Sequence, residues 1–347
     1  MKLHVGEDRR WLAVMATVLL AEFAWWAICW SAGLAPMPLL ITYLILAFSA
    51  LAAAYAMRVA LRPRSARANW SSLIAGAALV GIGASLFLPL KYAIPKEVAF
   101  WLDPPLASAE RALFGADPWL LLDRPIGWLT IPVDRIYGLW LPVQSLVLFT
   151  VMLEPPSRAK SRALIAYGLA WFALGVAAAT IFSSAGPIFY DRLFGGSEFA
   201  SLRETLRARG AWVVLAESDT MWAALVSGQP GFVAGISAFP SLHVAISLWF
   251  FLTARTMAPR AAPFALCYCM FIWIASVQLG WHYASDGLAG AAGMLAIWFV
   301  AEFVERSLTR PPARELPGYS RQAAPADRGA DPSRPPLTWF TSLGETR

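Results

Sequence analysis

Long apolar runs constrain this chain more than any other feature. A bilayer core takes about 20 apolar residues per helix, and about eight stretches approach that length: 11–33, 36–57, 72–93, 137–153, 163–184, 241–257, 263–280 and 285–305. Only 14% of the 347 residues are charged and 58% are hydrophobic, whereas a soluble domain carries roughly a quarter charged residues. A water-facing fold of this size has no room to hide 17 Trp and 20 Phe; lipid accepts them, and the interface favours Trp. The expected class is therefore an all-α polytopic membrane helix bundle of about eight spans. The first run is longer than the roughly 7–15 residues of a signal-peptide core and ends at no small-x-small cleavage site, so it reads as an uncleaved anchor. Glu22 within it is an intramembrane carboxyl, which should face protein. Cys29, Cys267 and Cys269 all lie in apolar runs and suggest neither a disulfide framework nor a spaced zinc site.

Basic residues set the orientation. Arg9 and Arg10 precede the first span; Arg58, Arg62, Arg64 and Arg67 follow the second; Arg158, Lys160 and Arg162 follow the fourth; Arg255 and Arg260 follow the sixth; Arg306 and Arg310 follow the eighth. With eight spans all these clusters fall on one side, the cytoplasmic one. That accounts for the net charge of +6 without a nucleic-acid partner. Residues 1–70 then supply two N-terminal transmembrane helices and 71–305 a six-helix core. Two long outer segments, 94–136 and 185–240, should carry short amphipathic helices in the interface. Residues 306–347, rich in Pro, Arg and Asp, have too few apolar groups to offset ordering and are expected to form a disordered cytoplasmic tail.

Candidate chemistry collects at the outer face. Of three histidines, His4 is terminal, while His243 and His282 each stand at the outer end of a span. Taken singly, each reads as an interfacial His meeting headgroups or backbone. Together, their surroundings point elsewhere. Asp286 follows His282 by four residues, so the two share a helix face and the carboxylate can orient the imidazole. In Ser237-Ala238-Phe239-Pro240-Ser241-Leu242-His243, Pro240 fixes the turn, Ser241 is a first-turn donor, and the free amides of the helix start offer an anion site. Two histidines, one carboxylate and a helix start can carry out phosphoryl transfer without a metal or other cofactor. No nucleotide-type phosphate loop is present, and the spacing matches no familiar zinc site. A rival from another class is a channel or transporter in which His243, His282 and Asp286 line a path.

Phe-Pro-Ser-Leu-His-Val-Ala at 239–245 and His-Tyr-x-x-Asp-x-x-x-Gly at 282–290 resemble the second and third signature motifs of the phosphatidic acid phosphatase type 2 superfamily. They are most similar to its inositol-phosphotransferase branch, the inositol phosphorylceramide synthases and their bacterial relatives. Ser184-Ala185-Gly186-Pro187-Ile188-Phe189-Tyr190 and, more weakly, Leu113-Phe114-Gly115-Ala116-Asp117-Pro118-Trp119 look like that branch too. The resemblance covers about 95–300 and implies a six-helix core. It implies His282 as the nucleophile that forms a phosphohistidine, Asp286 as its orienter, and His243 as the acid and then base. Ser241, Arg192 and Tyr283 are the expected substrate-binding residues. The chain departs from the phosphatases in three places: it lacks their Lys and Arg-Pro first motif, Ser276 stands where they have an Arg, and Leu242 replaces their glycine. Arg192, Lys91, Lys96 or an outer-loop arginine must then meet the phosphate charge. The implied activity is transfer of a phospho-alcohol headgroup such as phosphoinositol between lipids, or alternatively hydrolysis of a lipid phosphate or polyprenyl pyrophosphate. An outward-facing site in a bacterial inner membrane, open to the periplasm, fits this reading.

Overall fold

The computed structural model describes residues 5–61, 69–228 and 235–309, and every regular element among them is helical. His4, Arg62, Arg64, Arg67 and 310–347 lie outside the described residues. Six helices are long and apolar enough to cross a membrane: α1 (Val5–Ser31), α2 (Leu40–Leu61), α3 (Trp70–Glu97), α8 with its continuation α9 (Arg158–Phe172 and Ala179–Ile181), α14 (Ala262–Gln278) with the turn before it, and α15 (Ala284–Thr309). The chain is an integral membrane protein. The other two expected spans take less regular forms. The fourth is a bent pair in which Pro118–Gly138 and Trp140–Leu153 meet at 45°, so the crossing helix α7 (Trp140–Leu153) is entered from interfacial pieces. The sixth, α13 (Leu242–Met257), has only 16 residues, about 24 Å at 1.5 Å per residue, short of a bilayer core of roughly 30 Å.

The outer segments hold more helix than their sequence suggests. Residues 94–136 fold as α4 (Asp103–Phe114), α5 (Pro118–Ile126) and most of α6 (Thr130–Gly138). Between 185 and 240 lie α10 (Tyr190–Phe194), α11 (Ala200–Ala208) and α12 (Trp212–Ser227). In α11 Leu202 and Leu206 are buried, the amphipathic pattern expected there. The unforeseen α12 starts where Asp134 accepts hydrogen bonds from the amides of Val213 (2.8 Å) and Val214 (2.9 Å), two of the donors a helix start leaves without a partner. Carboxylates of one outer segment thus anchor helices of the other.

At the opposite end, residues of the basic clusters meet carboxylates. Lys160 Nζ lies 3.0 Å from Asp8 Oδ1, both nearly inaccessible, and Asp8 also accepts from Trp11 Nε1 at 2.9 Å. Arg162 pairs with Glu302, Arg10 and Arg158 with Glu305, and Arg58 with Glu154. The termini of α1, α2, α7, α8 and α15 are therefore gathered at one end, as the charge pattern requires. Removing one partner of a buried pair leaves an uncompensated charge and costs about 3–5 kcal/mol. Lys160→Ala should accordingly lower the unfolding midpoint in detergent sharply, and adding Asp8→Ala should restore part of the loss. A single mutant as stable as wild type would show that the pair does not hold α1 to α8.

Candidate functional site

The loop carrying His282 is shaped by the end of α14. Gly280 takes the left-handed conformation (φ 74°); its amide donates to Val277 O (3.1 Å) and that of Trp281 to Ser276 O (3.0 Å), the paired bonds of a glycine-terminated helix. The chain then turns into α15, where Asp286 occupies the first turn. Asp286 Oδ2 accepts from the Tyr283 amide (3.0 Å) and lies 3.2 Å from His282 Nδ1. With the carboxylate as acceptor, Nδ1 carries the hydrogen and Nε2 keeps its lone pair. Asp286 is completely buried and His282 is 5% exposed.

The same residue joins the second histidine helix. Asp286 O accepts from the Ser241 amide at 2.9 Å, and a Cβ on Gly290 would stand 2.2 Å from Ser241 O. Only glycine lets α15 pass this close to the head of α13. Ser241 is the N-cap of α13, its Oγ accepting from the Val244 amide at 3.4 Å, so part of the free helix start is already occupied. His243 follows, its ring packed on Trp140 (4.1 Å between centroids) and Tyr137 (5.2 Å, 20° between planes). The two histidine rings are 5.9 Å apart, close enough for one phosphoryl group to touch both.

A third strand of backbone laces the site together. The Ala238 amide donates to Ser184 O (2.6 Å), that of Ile188 to Gly280 O (2.9 Å) and that of Leu102 to Ser183 O (3.1 Å). Gly186, at φ 93°, lies so near Trp281 O that a Cβ would come within 2.3 Å. Asp103 holds this segment: it accepts from Ser184 Oγ (3.2 Å) and from the amides of Ala185 and Gly186 (both 2.8 Å). Burial raises the Asp103 carboxyl to about 6, against the pull of those amides. Glu110, also buried, accepts from the amide and hydroxyl of Ser285 at the start of α15. The amides of the Ser184–Gly186 stretch therefore face a carboxylate of this chain.

Of the expected site residues, His243, His282, Asp286, Ser241 and Tyr283 come together. Arg192 does not join them in any hydrogen bond or ion pair: it pairs with Asp219, which Arg203 shares, and its guanidinium lies over the Trp222 ring. Arg111 is held by Asp117 and Glu198, and Arg209 by Asp123. The cation that acts electrostatically on both histidines is Lys91 of α3, which has no ion pair among the described residues and packs against the Gly235 backbone. Burial first, and then the Lys91 charge, push His282 down to about 3, opposed by the Ala238 carbonyl. Its imidazole is thus neutral near pH 7. Sequence reasoning missed Asp103, Glu110, Tyr137 and Trp140, because all four lie in segments that read as interfacial cover or as a plain span.

A neutral imidazole fixed by a carboxylate, a second imidazole beside it and a lysine that acts electrostatically on both are groups that phosphorus chemistry can use. The family model of the PAP2 superfamily matches residues 105–300, and the chain belongs to that superfamily. No curated protein and no solved structure matches the chain. Membership supports a membrane enzyme of the lipid phosphatase and phosphotransferase type.

Two outcomes test the site geometry. Asp103→Ala leaves two buried amides and a hydroxyl without an acceptor, at about 1–3 kcal/mol for each buried group, and should lower the unfolding midpoint more than Asp103→Asn, which keeps one acceptor oxygen. In a His4→Gln, His243→Gln variant labelled with 15N-histidine, His282 should show neutral-imidazole shifts at pH 5, where an ordinary histidine with a pKa of about 6.5 is almost fully protonated. Protonated shifts at pH 5 would contradict the buried, Lys91-facing environment.

Proposed function

We propose that the enzyme is a phosphotransferase that moves a phospho-alcohol headgroup, such as phosphoinositol, from one lipid to the hydroxyl of another. His282 Nε2 attacks phosphorus, an N–P bond forms, and the bond to the lipid alkoxide breaks as His243 protonates the leaving oxygen. The acceptor hydroxyl then gives its proton to His243 and attacks phosphorus, and the N–P bond breaks to free His282. Asp286 positions the nucleophile and offsets the charge it gains. Ser241, at the head of α13, and Tyr283, beside Asp286, border the headgroup. Lys91 meets the non-bridging oxygens in place of the expected Arg192. The site faces outward, and a bacterial inner membrane with the periplasm on that side is the setting that fits.

One observation carries the preference for transfer over hydrolysis. A phosphomonoester brings nearly two negative charges and a phosphodiester brings one. Among the described residues Lys91 is the cation that bears on both histidines, while the arginines at 111, 192, 203 and 209 are paired with carboxylates and Ser276 stands where the phosphatases have an Arg. One cation matches one anionic charge, which is the charge of a headgroup-bearing phosphodiester.

Purified protein incubated with phosphatidylinositol and diacylglycerol labelled in its acyl chains should move phosphoinositol to the labelled acceptor. Phosphatidic acid should yield little free phosphate. His282→Ala should cut transfer by at least about 10⁴-fold, as loss of a nucleophile does, and Lys91→Met by about 10²–10³-fold, as loss of a charge-stabilising donor does. Rapid phosphate release from phosphatidic acid, with no transfer to any lipid alcohol, would replace this reading with the phosphatase.

A further inference from the structure

A cavity of about 580 Å³ lies between α1, α2, α3, α7 and α8, within the size range of pockets that take small ligands. It adjoins the histidine site through two aromatic contacts. Phe87, on its wall, is one helical turn before Lys91, whose Nζ lies 5.8 Å from the Phe87 ring. Trp171, also on the wall, lies 6.4 Å from Trp140, the ring that packs on His243. The cavity extends from there along the helices away from the histidines, with Leu79 and Val80 on its α3 wall. Leu46 and Leu141 line it and are about half exposed on the surface that faces lipid, so it opens sideways to the bilayer.

Its walls are almost wholly apolar, and their polar members mostly satisfy one another: Tyr167 donates to Gln144 Oε1 at 2.7 Å. Glu22 differs. It is 3% exposed, lines the cavity, and its Oε2 has no hydrogen-bond partner. It sits level with Gly83, where a Cβ would stand 3.6 Å from Oε2, and Gly83 precedes Lys91 by eight residues, about 12 Å along α3. A buried carboxyl left unpartnered in an apolar chamber calls for a partner that the chain itself does not supply.

We propose that this chamber holds one hydrocarbon chain of the lipid whose headgroup is processed at His243 and His282, and that Glu22 bonds a hydroxyl or amide group of that lipid. The inference rests on the proposed lipid-headgroup reaction for where the phosphate sits. The helices α1 and α2, which lie outside the matched region, thereby become part of substrate binding: the core handles the phosphorus, and the added pair encloses the chain. A lipid from the outer leaflet enters between α2 and α7, places its phosphate by Lys91, and extends its chain down the cavity past Phe87.

The test does not depend on turnover. Full-length protein and its His282→Ala variant are reconstituted in phosphatidylcholine vesicles with a lysophosphatidic acid carrying a photoreactive diazirine in its acyl chain, and cross-linked residues are mapped by mass spectrometry. In both proteins the label is expected on 15–22 and 79–87, falling at least fivefold in Ala84→Trp, or in Leu46→Trp should the first variant fail to fold. Label confined to lipid-facing residues such as Phe299 and Phe303 overturns the chamber assignment. For the Glu22 contact, a second probe carries a hydroxyl on its acyl chain about 12 Å from phosphorus, the rise of eight helical residues; Glu22→Leu should lower its labelling at least fivefold and leave that of the unsubstituted probe unchanged. Equal behaviour of the two probes removes that contact from the proposal. Chamber labelling without headgroup transfer in wild type would overturn the proposed reaction and leave the chamber standing.

Discussion

Asp286 is the joint on which the active end of this molecule depends. One carboxylate oxygen serves His282 Nδ1 and the amide that begins α15, while the backbone oxygen of the same residue takes the amide of Ser241. A single buried residue therefore fixes the tautomer of one histidine and the distance to the other. The arrangement works only because Gly290 removes the side chain that would push α13 away. In a region with little water, each of these bonds is stronger than it would be at a solvated surface, and an unmade one costs correspondingly more. The two histidines therefore hold their relation without any direct bond between them.

A second layer surrounds that joint and explains why so much chain lies between the spans. Asp103, Glu110 and Asp134 all come from the first outer segment, and each binds backbone amides of a later one: the Ser184–Gly186 stretch, the start of α15, and the start of α12. Helix starts and tight turns expose amides that must find acceptors when buried. Here carboxylates far away in sequence provide them. The outer segments are thus the frame that holds His282 and Asp286 in register, well beyond simple cover.

How much of this is legible in the sequence follows from the range of each interaction. The bundle, the gathering of basic residues at one end and the His282–Asp286 pair are readable because they depend on local composition and on residues four apart in sequence, although His282 stands in the loop just before α15 and not on the helix itself. The bend that leads into α7 is not readable, because the helices before Gly138 read as interfacial cover and nothing in their pattern fixes the 45° angle at which they meet Trp140–Leu153. Asp103 escapes notice because an acidic residue in a Pro- and Trp-rich interfacial stretch has no periodic signature; its partners lie 81 to 83 residues away. Arg192 is the nearest basic residue in sequence to the missing first motif, yet Asp219 and Trp222 hold it. Lys91 is among the cations the sequence offers for the phosphate charge, but nothing local singles it out, because the packing of α3 against Gly235 is what brings it towards the histidines.

In the proposed reaction, the choice between water and an alcohol in the second half-reaction depends on what can reach phosphorus once the intermediate has formed. His282 is almost inaccessible, and one side of His243 is covered by Trp140 and Tyr137. Bulk water is present at tens of molar, so a phosphohistidine open to it would hydrolyse before a membrane-bound alcohol arrived. Aromatic walls and a buried ammonium group in place of a solvated arginine cluster lower the water activity at that point, while a lipid hydroxyl arriving from the bilayer is held by its own chain next to the site. Holding a reactant in place raises its effective concentration by many orders of magnitude. Under the proposed reaction, exclusion of water and retention of the acceptor therefore act in the same direction, towards transfer to a lipid alcohol.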